Sequence, residues 1–188
     1  MSTFEVYDNI VPEFYQEILK KEIFSPNFPW YYNPTNVPAN KNAVAEPGVN
    51  YPDQFTHPVI WENMSPDREA FNIINPILLF FQKETGTIIN NVARIKLNLL
   101  NQHPHPPTNP AHTDNTNTDV KTLIYYVNDS DGDTVLYNQV WGDDLPLTEC
   151  KRITPKQGRL ILFNATRWHA STNPVNTKAR SIININFI

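Results

Sequence analysis

Hydrophobic and polar positions along this chain change their period near Gly86. Before it the pattern is helical. "PEFYQEILKKEIF" (Pro12 to Phe24) offers an apolar stripe of Phe14, Ile18 and Ile23, with Pro12 suited to a first helical turn. A second helix is expected from Pro66 to about Thr85, with Ser65 as N-cap and Gly86 as the stop. Its apolar positions, Ile73, Ile74, Ile77, Leu78 and Phe81, recur at helical spacing. After Gly86 the period becomes two. "NNVARIKLNLL" sets Val92, Ile95, Leu97 and Leu99 against Arg94, Lys96 and Asn98. "KTLIYYVN", "DTVLYN", "GRLILFNA" and "ARSIININFI" follow, rich in β-branched and aromatic residues. "NDSDGD" reads as a hairpin turn with Asp-Gly at its tip. Ser25 to Thr56, rich in Pro, Asn and Tyr, reads as an irregular ordered loop. Two supporting helices followed by strands joined by turns predict a mostly β protein with a double-stranded β-helix (jelly-roll) core. One domain is expected, with residues 1–88 a helical and loop buttress and 89–188 the core.

Composition narrows the class. At 188 residues, with 40% apolar and 12% aromatic residues, the chain can bury a sizeable core. No apolar run approaches the ~20 residues of a membrane span, and no basic-then-apolar start marks a signal peptide. A soluble cytoplasmic protein is expected. The single cysteine, Cys150, forms no internal disulfide and reads as an ordinary thiol. Charge is uneven. Cys150 to Ile188 has seven Lys and Arg and no Asp or Glu, a net +7, which against −4 for the whole chain leaves −11 for residues 1–149. Overall acidity makes nucleic acid an unlikely partner, while a local basic face for an anion stays open. Nothing in the sequence sets the oligomeric state.

Candidate chemistry lies in "NPAHTDNTNTDVKTLIYYVND". His112 and Asp114, two apart, project from one face of a strand. A third ligand must come from elsewhere. His103 and His105 sit in the proline-locked "NQHPHPPTNP" and read as loop residues, and His57 in "FTHPV" as unremarkable. His169, in "TRWHAST", follows an apolar strand that can deliver it to a pocket. Eleven residues later comes Arg180, which shares a strand face with Ile182, Asn184 and Asn186. Two imidazoles and one carboxylate suit Fe(II) and leave positions for a 2-oxo acid and O2. Arg180 offers a planar, bidentate cation for the far carboxylate of 2-oxoglutarate.

With these residues in this order, the chain resembles the Fe(II)/2-oxoglutarate-dependent oxygenase superfamily over about residues 92 to 188. "HTDNTNTDVKTLIYYVND" is similar to the prolyl hydroxylase branch, including the hypoxia-sensing prolyl hydroxylases. The resemblance implies His112, Asp114 and His169 as iron ligands and Arg180 as the partner of the 2-oxoglutarate C5 carboxylate, with Tyr126 donating to the same group. The strand before His112 lacks the tyrosine and glycine common in that branch, and Asn98 is the candidate substitute. The implied reaction turns 2-oxoglutarate into succinate and CO2 while hydroxylating a substrate, with Fe(II) and O2 required and ascorbate a further candidate. Retention of Asp114, where halogenating members have lost the carboxylate, points to hydroxylation. The expected substrate is a protein or peptide residue such as proline, whose groove Trp30, Tyr31, Tyr32 and Tyr51 would wall. Trp168 is placed equally by substrate lining and by core packing. Rivals are a cupin-like metal-binding jelly roll, a zinc hydrolase, a non-catalytic jelly roll, and an oxygenase acting on a small molecule or nucleobase. Arg180 and Tyr126 discriminate, since hydrolysis needs neither.

Overall fold

The computed structural model describes residues 4–34, 43–144 and 146–188. The elements run β1 (Phe4–Tyr7), α1 (Glu13–Ile23), β2 (Tyr31–Asn33), β3 (Ala43–Val44), β4 (Gln54–Ile60), α2 (Arg68–Thr85), β5 (Val92–Asn101), β6 (Ala111–His112), β7 (Lys121–Tyr126), β8 (Thr134–Val140), β9 (Glu149–Ile153), β10 (Leu160–Asn164), β11 (Arg167–Ser171) and β12 (Ala179–Phe187). The strands form two antiparallel sheets. One has seven strands in the order β1-β10-β7-β12-β5-β4-β2, the other five in the order β3-β6-β11-β8-β9. This is the predicted mostly β, jelly-roll architecture with supporting helices.

Strand parity sorts the side chains. On β7, Leu123 and Tyr125 join the cluster packed by Leu19, Ile23, Ile74, Ile77 and Phe81 of the two helices. Ile124 and Tyr126 point the other way, into the space between the sheets, with Leu136, Ile153, Ile161 and Ile182. Both faces of β7 are therefore buried, which is why "TLIYY" reads as a continuous apolar run rather than an alternation. On β5, Ile95 and Leu97 face the helices, leaving Arg94, Lys96 and Asn98 on the opposite face. The three-residue step from Val92 to Ile95 is absorbed by a bulge. Asn186 pairs with Arg94 but Phe187 with Val92, so Ala93 is the extra residue.

The structure corrects several expectations. Helix α2 starts at Arg68, with Asp67 as N-cap accepting from the Ala70 amide at 3.0 Å, instead of Ser65. Its end is as expected, with Gly86 left-handed at φ 71°. In α1, Leu19 and Ile23 are buried while Phe14 and Ile18 are exposed, so the stripe is rotated. The segment Ser25 to Thr56 contains β2, β3 and the start of β4, and its residues 35–42 lie outside the described ones. β1 adds an edge strand against β10, beyond the elements that the hydrophobic pattern predicts. His57 is a buried strip of mortar, its Nδ1 2.8 Å from the Pro29 carbonyl and its Nε2 3.0 Å from the Asp67 carboxylate.

The largest correction concerns "NDSDGD". β7 belongs to the seven-stranded sheet and β8 to the five-stranded one, so the segment crosses between sheets and is no hairpin turn. Gly132 is needed there for space. A Cβ on it would lie 2.5 Å from the Thr172 carbonyl oxygen and 2.9 Å from the Pro174 nitrogen. Asp131 pins the facing loop, accepting from the amides of Val175, Asn176 and Thr177 at 2.8–3.1 Å and from the Thr177 hydroxyl at 2.7 Å.

Candidate active site

The space between the sheets brings together residues that are far apart in sequence. His112 ends β6 and pairs directly with His169 of β11, their ring centroids 4.4 Å apart. Asp114 follows β6, its amide donating to the Ala165 carbonyl at 3.0 Å. One donor atom from each of His112, Asp114 and His169 lies within 4.8 Å of the others, and Asp114 Oδ2 is 3.7 Å from His169 Nε2. The Asp114 and His169 side chains are almost fully buried.

The donor set fits a metal ion. His112 Nδ1 lies 3.2 Å from the Pro110 carbonyl and His169 Nδ1 3.1 Å from the Arg167 carbonyl. Each carbonyl needs a proton from its ring, so each Nε2 keeps its lone pair for the centre. Burial and the neighbouring His169 push the His112 imidazolium down to about 3, so the ring is neutral at physiological pH, as a ligand must be. Burial opposes ionisation of Asp114, but Arg94, the two histidines and Thr122 together hold its carboxyl well below the usual range. Arg94 pairs with Oδ1, while Oδ2 accepts from the Thr122 hydroxyl at 2.8 Å and from the amides of Asn184 at 3.1 Å and Asn186 at 3.3 Å. Partners of this kind fix the orientation of a ligand carboxylate.

Further along the same face lies a second feature. Arg180 is fully interior, yet no carboxylate pairs with it among the described residues. Its Nε donates to the Gly132 carbonyl at 2.7 Å and its Nη2 to the Thr134 hydroxyl at 2.6 Å. The Tyr126 hydroxyl donates to the same Thr134 oxygen at 2.7 Å. Tyr126 sits opposite Ile182 on β12 and Arg180 opposite Leu100 on β5. A buried guanidinium held by neutral acceptors has the chemistry to take an anion as well.

The structure thus brings together His112, Asp114, His169, Tyr126 and Arg180. Asn98 shares their face, opposite Ile182, but its Nδ2 donates to Gln54 at 3.2 Å, while its buried oxygen has no partner among the described residues. Trp168 points away from the triad and packs against Trp141, Ala111, Val135 and Ala170, which settles it as core. His103 and His105 stay in their loop. Of the seven basic residues of the C-terminal segment, Lys151, Lys156 and Lys178 are exposed. Arg152 pairs with Glu149 and Arg159 with Asp8, while Arg167 and Arg180 are buried. Arg94, Thr122 and Thr134 were not assigned from sequence. Arg94 had a signal, as a charge on the pocket parity of β5. Thr122 and Thr134 had none, because only the tertiary fold aims their hydroxyls.

Residues 99–188 match the model of the 2OG-Fe(II) oxygenase superfamily, and this stretch contains the three triad residues, Tyr126 and Arg180. Solved structures agree in fold. A 2OG-Fe(II) oxygenase family oxidoreductase from Burkholderia pseudomallei is 12% identical, with a TM-score of 0.66 over 98% of this chain and 84% of that one. A prolyl hydroxylase from Trichoplax adhaerens, solved with a hypoxia inducible factor peptide fragment, is 14% identical, with a TM-score of 0.59 over 100% and 84%. The non-heme alpha ketoglutarate dependent epimerase SnoN from nogalamycin biosynthesis is 8% identical, with a TM-score of 0.64 over 100% and 78%. No curated protein matches the chain by sequence. The chain, with its triad, therefore carries the 2OG-Fe(II) oxygenase superfamily match over residues 99–188. It is a 2-oxoglutarate- and Fe(II)-dependent dioxygenase, a class that uses Fe(II), 2-oxoglutarate and O2.

Proposed function

We propose that this dioxygenase hydroxylates a residue of a protein or peptide, with proline the favoured target, and that the whole chain acts as one oxygenase domain. His112, Asp114 and His169 hold the metal. Fe(II) bound there supplies the O2 chemistry that couples decarboxylation of 2-oxoglutarate to hydroxylation. Arg180 binds the C5 carboxylate through its planar fork, with Tyr126 and Thr134 completing the seat. Asn98 lines the same channel and would reach the cosubstrate through its amide N–H, now given to Gln54. Arg94 keeps the Asp114 carboxylate ionised and turned toward the two imidazoles.

What supports the peptide reading is exposed aromatic side chains on and beside β4. Trp61, at the end of β4, stacks on the Arg94 guanidinium at 5.4 Å, and Arg94 holds Asp114. Beside β4, the edge strand β2 exposes Tyr31 and Tyr32. Rigid aromatics beside an open strand edge suit an extended, proline-bearing chain. Trp30 and Tyr51 serve the fold instead. The Trp30 indole donates to the Ile23 carbonyl at 3.2 Å, and the Tyr51 hydroxyl accepts the Glu46 amide at 2.8 Å. The test incubates the enzyme, Fe(II), ascorbate and 2-oxoglutarate with lysate of its own source, followed by mass spectrometry. A gain of one oxygen on prolyl residues is expected. Oxygen found on free metabolites or nucleobases and never on a polypeptide contradicts the peptide reading.

A further inference from the structure

β5 presents three consecutive pocket-facing residues, Arg94, Lys96 and Asn98, which pair with Asn186, Asn184 and Ile182 of β12. Lys96 therefore stands between the metal ligands and the Arg180 end of the pocket, and its charge is felt by both His112 and Asp114. Among the described residues its ammonium has no hydrogen-bond acceptor and no ion pair. It lies over the Trp61 ring at 5.7 Å, beside Arg94 over the same ring. Arg94 spends its Nη2 on Asp114 and Asn184, but its buried Nε has no partner. Two donors with no acceptor thus lie on one indole. The nearby carboxylate, Asp114, is already occupied by Arg94, Thr122, Asn184 and Asn186.

Burial and the adjacent Arg94 push the Lys96 ammonium down to about 8, which still leaves it largely protonated at neutral pH. Lys96 is half-buried, and a cation whose close partner is an aromatic face can take a further, anionic partner. The C5 carboxylate of 2-oxoglutarate is accounted for by Arg180, at the other end of the pocket.

We propose that Lys96, with Arg94 Nε and the Trp61 ring, seats a carboxylate of the substrate beside the metal ligands. This rests on the oxygenase reading of the same pocket and adds a substrate class to it. The substrate carries a carboxylate close to the carbon that is oxidised. Two sources share that chemistry, the acidic side chain of a peptide and the free carboxylate of an amino acid.

The test follows the Trp61 indole N–H resonance of the full-chain protein loaded with Zn(II) and saturated with 2-oxoglutarate, assigned through Trp61→Phe. Acetate is expected to give a saturable shift at concentrations about ten-fold lower than acetamide. That preference should vanish in Lys96→Gln and persist in Lys96→Arg, with 2-oxoglutarate affinity in Lys96→Gln close to that of the wild type. Capped Glu-Pro against Gln-Pro peptides, and L-proline against L-prolinamide, then separate the sources. Acid preference in either pair supports the proposal and names the source. Equal responses to acetate and acetamide, tighter binding of inorganic phosphate than acetate, no preference in either pair, or about a ten-fold loss of 2-oxoglutarate affinity in Lys96→Gln would overturn it. Failure of the wild type to bind 2-oxoglutarate at all is a separate result. It strikes the oxygenase reading, and the Lys96 dependence of the acetate preference is then read on the Zn(II)-loaded protein alone, by wild type against Lys96→Gln.

Discussion

His112 and His169 stand directly opposite one another on adjacent antiparallel strands, each with Nδ1 turned to the carbonyl of the residue two before it. The same local device is used twice, so two Nε2 lone pairs converge where Asp114 brings its carboxylate. Burial and its neighbour keep the His112 imidazole neutral, so its lone pair is free for a cation.

Removing either imidazole should therefore end metal-dependent chemistry without unfolding the chain. His112→Ala and His169→Ala are expected to lose Fe(II)-dependent conversion of 2-oxoglutarate to succinate while keeping the far-ultraviolet circular dichroism of the wild type. Either variant turning over 2-oxoglutarate at the wild-type rate contradicts the ligand assignment.

Arg180 is a buried guanidinium whose observed partners, Gly132 and Thr134, are neutral, and the proposed role pairs it with the 2-oxoglutarate C5 carboxylate. Breaking such a pair from one side costs about 3–5 kcal/mol, or a loss of affinity of roughly hundreds-fold or more. Arg180→Ala should show this in a calorimetric titration with 2-oxoglutarate. Arg180→Lys should recover part of it, because an ammonium cannot reproduce the planar fork that reaches Gly132, Thr134 and the ligand together. Unchanged affinity in Arg180→Ala would refute the role.

Acid should loosen the rim next to this seat. Burial opposes ionisation of Asp131, but hydrogen bonds from Thr177 and from the Asn176 and Thr177 amides outweigh it and depress its carboxyl well below the ordinary 3.8. A depressed carboxyl stabilises the fold above its unfolded value, and the contribution is lost as pH falls below about 4. Asp131→Asn should thus melt at a lower temperature than the wild type at pH 7, with the gap shrinking as pH falls below about 4. A gap that stays constant down to acid pH would show that ionisation of Asp131 is not what holds the 175–177 loop.

Much of this site could be read along the chain because strand parity and ligand chemistry are local. His112-Thr113-Asp114 shares a face by period two, and Arg180, Asn184 and Asn186 share another, on which Asn184 and Asn186 meet Asp114. Tyr126 followed from resemblance, and parity agrees, since Tyr125 belongs to the helix-facing cluster. The misread parts depend on partners distant in sequence. "NDSDGD" has hairpin chemistry, but Gly132 answers to the approach of Thr172 and Pro174, about forty residues on. The choice of Asp67 over Ser65 as N-cap goes with the His57 ring, which Asp67 also holds. The Lys96 pocket was invisible because an alternating lysine on a strand ordinarily faces water, and only the pairing of β5 inside the seven-stranded sheet turns it inward.

The most direct measurement is a crystal structure of the full chain grown without oxygen in Mn(II) and 2-oxoglutarate. The account predicts metal density bonded by His112 Nε2, Asp114 and His169 Nε2, and a dicarboxylate whose far end lies on Arg180 and Tyr126. A metal held elsewhere, or Arg180 still bonded to Gly132 and Thr134 alone with no dicarboxylate beside it, would contradict it.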